Sequence, residues 1–155
     1  MIPFKTQIVH ALSGGLNVQI IMKKSNGTPA KSCSELSASD FAHSLLIDET
    51  TFFLIEPFFS SCKAYTDYYH YGFHYHDDND LKGILSSLHH EQGIWQAQDM
   101  NTADKCRVQE ILDCIDLAYL IRQDEFGKQY TVFLDRLIRF FNAENCGQGC
   151  YIMGI

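Results

Sequence analysis

From Leu81 onward the apolar residues of this chain recur at helical spacing, whereas before residue 23 they do not. Leu81, Ile84, Leu85 and Leu88 fall at i, i+3, i+4 and i+7. Val108, Ile111, Leu112, Ile115, Ala118 and Tyr119 keep the same period, as do Phe133, Leu134, Leu137, Ile138 and Phe141. Each set draws one stripe along a helix, and a striped helix must bury that stripe against another apolar layer. Thr6 to Ala11 and Leu16 to Met22 alternate or run apolar, as strands do, which puts sheet ahead of helix in the chain.

Local signals set the expected boundaries. Ser13-Gly14-Gly15 supplies the positive-φ positions of a tight turn, so the first two strands are expected to form a hairpin. Residues 24–34 hold Gly, Pro, Asn and Ser without periodicity and predict a surface loop. Ser37 followed by Asp40 resembles a capping box and predicts a short helix with Phe41, Leu45 and Leu46 on one face. Thr50 to Glu56, a β-branched and aromatic run stopped by Pro57, predicts a buried strand. Residues 58–71 fit either a helix closed by Gly72 or two strands, and their Tyr, Phe and Thr content favours strand.

Asp78 or Asn79 is placed to cap the next helix, with Gly93 and Trp95 in the connection after it. Asn101 or Thr102 caps a second helix running to about Arg122; a turn around Gly127 separates it from a third, closed by Asn145 and Gly147. The short link predicts that these two helices pack antiparallel. Tyr151 to Met153 reads as a final strand. The chain of 155 residues has the size of one domain. The expected architecture is therefore a single α+β domain over residues 1–155, a small antiparallel sheet with helices packed on one face.

Charge narrows the partners. The formal net charge is -7, and Lys23–Lys24 is the sole adjacent pair of basic residues, which argues against direct binding of nucleic acid. No apolar run approaches the length of a membrane span, and the N-terminus lacks the apolar core of a signal peptide. A cytoplasmic protein with its six cysteines mostly reduced is expected.

The stretch YHYGFHYHDD, Tyr69 to Asp78, carries the densest chemistry. If extended, it sets His70, His74 and His76 on one face and Tyr69, Tyr71, Phe73 and Tyr75 on the other. The expectation is a half-buried strand with its aromatic rings in the core and its imidazoles in water. His74 and His76, two apart, could converge on one ion, with Asp77, Asp78, His89 and His90 the nearest sources of a third ligand. The helical spacing of a zinc protease is missing, so His74 and His76 stand only as candidate ligands and no cofactor is expected. Cys146-Gly-Gln-Gly-Cys150 has no second pair to complete a metal site and reads as a glycine-rich turn. Asp113 and Asp116 share a helix face, which is the usual arrangement of a solvated surface. No nucleophile elbow or phosphate-binding loop is found.

What remains is a surface. Asp77, Asp78 and Asp80 adjoin Tyr69, Tyr71 and Tyr75, joining the charge that steers association to the side chains that bury area at small entropic cost. In general character, small, acidic and without catalytic motifs, the chain resembles the bacterial immunity proteins that neutralise toxins. That resemblance implies a non-enzymatic inhibitor whose acidic side chains cover the cationic active site of a basic, nuclease-type partner. A phage-encoded inhibitor of a host defence nuclease would share this character. Two other classes are a metal-dependent enzyme using His74 and His76, and a subunit docking through the helical pair from Thr102 to Phe141. The sequence leaves the oligomeric state open.

Overall fold

The computed structural model of the protein describes residues 4, 6–13, 17–60, 72–96 and 123–154. They form an α+β fold with five strands, β1 (Thr6–Val9), β2 (Asn17–Met22), β3 (Ser44–Asp48), β4 (Phe73–His76) and β5 (Cys150–Gly154). Three helices accompany them, α1 (Glu49–Ser60), α2 (Asp78–Gln96) and α3 (Gln123–Glu144). The sheet runs β1-β3-β2-β5-β4, and every neighbouring pair is antiparallel.

The expected hairpin of β1 with β2 is not formed, because β3 lies between them, pairing Ile47 with Thr6 on one side and with Val18 on the other. Alternation in sequence assigns faces to a strand and leaves its neighbours unassigned. The chain just after β1 is instead held by Gln19, which is fully buried. Its Nε2 donates to the Ala11 carbonyl at 3.1 Å and to Ser44 Oγ at 2.8 Å, while its Oε1 accepts from Ser13 N at 3.2 Å.

The helix expected from Ser37 through Leu46 stops after one 3-10 turn, Ala38–Phe41. Its capping box is present, with Asp40 Oδ2 accepting from Ser37 N at 2.7 Å. His43, at φ 54°, then turns the chain into β3. Leu45 and Ile47 point to the helical side and Ser44 and Leu46 to the other, as strand alternation requires.

The run expected as a strand over Thr50 to Glu56 is helix α1. Asp48 Oδ1 accepts from Thr51 N at 2.7 Å and caps it. Phe52, Ile55 and Phe59, at i, i+3 and i+7, are fully buried, a stripe visible only when the run is continued past Pro57. Phe53 and Pro57 lie one turn apart on the exposed side, and Pro57 has no N–H to donate to the Phe53 carbonyl four residues back. Of residues 58–71, 58–60 complete this helix and the rest lie outside the described residues, as does the helix expected from residue 101 to 122 and its packing.

Helix α2 runs through Gly93 and Trp95, expected in a connection, and α3 runs through Gly127, expected in a turn. Gly127 serves packing: a Cβ there would come within 3.2 Å of Trp95 Cε3. The main core lies between the sheet and the helices, joining Val18, Ile20 and Ile152 to the stripes of α1, α2 and α3. A smaller core on the opposite face joins Ile21, Tyr151 and Met153 to Phe41 and the half-buried Ala30, Cys33 and Leu36 of the preceding loop. Among the described residues no helix is long and apolar enough to cross a membrane.

Candidate functional site

The acidic and aromatic stretch folds into the end of β4 and the start of α2. β4 is an edge strand whose other side pairs with β5, His76 facing Cys150 and His74 facing Ile152. Period two therefore sends both imidazoles to the same side as the buried Cys150 and Ile152, into the helical core. His74 is 5% exposed and His76 0%. Phe73 and Tyr75 take the other face and are half-buried against Tyr151, with ring centroids at 5.1 and 5.4 Å. The aromatic rings face a core, the smaller one, as expected, whereas the imidazoles expected in water are buried in the main core. At β4 and β5 the sheet is covered on both sides, so there the faces differ in what covers them and not in whether they are covered.

His76 packs its ring against Phe59 of α1, centroid to centroid 5.8 Å, and directs Nδ1 toward Asp80 Oδ2 at 3.6 Å. Burial lowers its pKa from 6.5; Asp80 works against that shift and His74 adds to it. The imidazole is thus held as the neutral base beside a carboxylate that favours its charged form. Gly72 makes room for His74, since a Cβ there would run into its Nε2.

Asp77 begins α2. Its Oδ1 accepts from Asp80 N at 2.8 Å and its carbonyl from Leu81 N at 2.9 Å, so the cap is Asp77 and not the expected Asp78 or Asn79. Asp78 pairs with Lys82 at 3.1 Å, one turn on, and remains 31% exposed; Asp80 remains 26% exposed. Tyr75 donates its hydroxyl to the Gln148 carbonyl at 2.8 Å, tying β4 to the turn before β5. Its pKa is raised from 10.0, first by burial and then by the nearby Asp77. The structure therefore brings Tyr75, Asp77, Asp78 and Asp80 to one corner of the fold, while Tyr69 and Tyr71 lie outside the described residues.

The turn facing this corner depends on glycine. Gly149, at φ 83°, lies so close to β4 that a Cβ would strike the His76 carbonyl and sit 2.9 Å from Asp77 Cα. Gly147, at φ 74°, donates its N–H to Asn145 Oδ1 at 2.9 Å. Cys146 is exposed and Cys150 buried, and both are free thiols. Among the described residues no three His, Cys, Asp or Glu side chains converge as a metal site would require. His89 and His90 are exposed on α2.

One polar cluster has no counterpart among the sequence expectations. Glu91 is 2% exposed between α2 and α3, and its Oε1 accepts from Trp95 Nε1 at 3.1 Å and from the Tyr130 hydroxyl at 3.4 Å. A signal for it exists: Glu91 lies three residues beyond Leu88 on the apolar stripe and four before Trp95. Comparison of the chain with protein-family models, with curated proteins and with solved structures finds no match.

Proposed function

We propose that the protein is a non-enzymatic binding protein, an inhibitor of the toxin-neutralising immunity type, acting in the cytoplasm. In this reading the corner formed by Asp77, Asp78 and Asp80 covers the cationic active site of a basic, nuclease-type protein. The observation that carries it is the grouping of three carboxylates within one turn of α2 on a chain of net charge -7. Asp77 is exposed, and the other two are partly so. Hydrogen bonds of the cap and the tether from Tyr75 to Gln148 hold the corner in one shape, which reduces the ordering cost of binding.

Acids grouped in this way steer a basic partner and fix its orientation more than they add affinity. The test is binding to a panel of basic nuclease toxins at several salt concentrations. It compares the parent with a variant carrying Asp77→Asn, Asp78→Lys and Asp80→Asn, in which asparagine keeps the cap. The expected outcome is association that weakens with salt and slows at least tenfold in the variant. Equal association rates for the two proteins, or no binding to any member of the panel, would count against the reading.

A further inference from the structure

A second feature lies away from this corner, where β1 and β2 begin and β3 ends. A cleft of about 550 Å³ opens there, lined among others by Phe4, Thr6, Gln7, Leu46, Asp48 and Arg136. It shares Phe4 and Arg136 with a smaller lobe of about 170 Å³, lined also by Gln129, Val132 and Phe133. Sites for small molecules are typically a few hundred Å³, mostly apolar, with a few placed polar groups.

The two lobes differ in chemistry. Among the described residues the larger carries one cation and one anion, Arg136 and Asp48, beside the uncharged polar Thr6 and Gln7 of β1 and Asn17 of β2. The smaller is lined by Val132 and Phe133, and Phe4 borders both, stacked on Phe133 at 5.7 Å and 17° and packed on Tyr130 at 5.9 Å.

Arg136 is exposed and, among the described residues, holds no acidic partner, whereas the next basic residue of α3, Arg139, is bound to Asp135 at 2.8 Å. Asp48 uses Oδ1 to cap α1 and keeps a second oxygen for another donor. Gln129 lines the smaller lobe, and its buried Oε1 meets no donor among the described residues.

We propose that this cleft binds a small zwitterion of the α-amino acid class with an apolar side chain. Its carboxylate lies on Arg136, its ammonium toward Asp48, and its side chain over Phe4 into the lobe of Val132 and Phe133. A simple anion would meet Asp48 and a simple cation would meet Arg136, so carrying both charges is what distinguishes the ligand. Guanidinium is suited to the carboxylate because its planar fork can donate two parallel hydrogen bonds.

The test is an NMR titration of the isotope-labelled full chain with L-phenylalanine, L-leucine, 3-phenylpropionate and 2-phenylethylamine. The expected result is saturable shifts at Thr6, Gln7 and Leu46 with either amino acid. Each phenyl analogue that lacks one charge should bind about tenfold more weakly or worse, as loss of a charged hydrogen bond implies. Arg136→Gln should weaken both amino acids by a similar factor and Arg139→Gln should leave them unchanged. Both positions are exposed, and the spectrum itself reports whether each variant is folded. Shifts that do not saturate, analogues that bind as well as L-phenylalanine, or an Arg136→Gln variant that binds like the parent would each overturn the proposal.

Discussion

Asp80, at the start of α2, holds its carboxylate 3.6 Å from Nδ1 of the fully buried His76 at the end of β4. The pair joins an edge strand to a helix through a group that burial keeps neutral. In the unfolded chain this imidazole takes up a proton near its ordinary value of 6.5; in the folded protein it does so only at lower pH. The unfolded state therefore binds more protons in that interval, and its stabilisation on acidification is not shared by the fold. Stability from this site should be complete above about pH 6.5 and fall as pH drops below it, by at most about 1.4 kcal/mol per pH unit. Urea unfolding from about pH 8 to about pH 5 would measure it, and the slope should flatten in His76→Gln. A slope unchanged by that substitution would assign the effect to other groups.

Glu91 makes a different kind of interior contact, since its carboxylate accepts from a side chain on its own helix and from one on α3. Removing the acceptor leaves the Trp95 indole N–H and the Tyr130 hydroxyl to lose a partner each. Glu91→Ala should destabilise the fold by about 2–4 kcal/mol, while Glu91→Gln, which keeps an acceptor oxygen, should cost about half as much or less. Trp95 is the sole tryptophan, so its emission reports the site directly. Equal losses in the two variants would show that the hydrogen bonds contribute little beyond packing.

Sequence periodicity locates α2 because four apolar residues at one spacing admit no second reading, and β5 because Tyr151 to Met153 is short, apolar and follows a glycine turn. It fails at α1, where the run Thr50 to Glu56 is dense enough in apolar residues to fit either period; Phe59, past the proline, decides for helix. It fails again at β1 and β2, since strand order depends on which edge a later strand joins and no residue of either strand encodes that. At the candidate site, the grouping of Asp77, Asp78 and Asp80 is legible in the sequence, but the direction of His74 and His76 is not. An imidazole suits water and a neutral interior alike, and the choice is made by the helices that cover one face of β4.

Two glycines should respond oppositely to the same substitution. Gly149→Ala places a side chain at φ 83° and drives its Cβ into the main chain of His76 and Asp77, which cannot yield as a flexible side chain would. Strain in the left-handed region alone costs about 1–2 kcal/mol, so a loss of more than about 2 kcal/mol is expected once the collision is added. Gly83 lies within α2, exposed, and a methyl group added there would meet nothing within 4 Å. Gly83→Ala should stabilise the helix by up to about 1 kcal/mol. Thermal unfolding of the two variants would decide, and a stable Gly149→Ala protein would mean that β4 can move away from the turn.

Asp77 combines two properties, a charge at the acidic corner and the cap of α2, and they can be separated. Asp77→Ala removes the acceptor for Asp80 N and should lower stability by about 1 kcal/mol, within a range of about 0.5–2. Asp77→Asn keeps an acceptor in the same place and should be nearly neutral, losing only the interaction of a full negative charge with the N-terminal end of the helix. That remaining difference should shrink with added salt, whereas the loss in the alanine variant should persist. Chemical denaturation at low and high salt checks both. If asparagine proves as damaging as alanine, charge and not the hydrogen bond holds the start of α2, and neutralising the corner could no longer be used to probe partner binding without also loosening the fold.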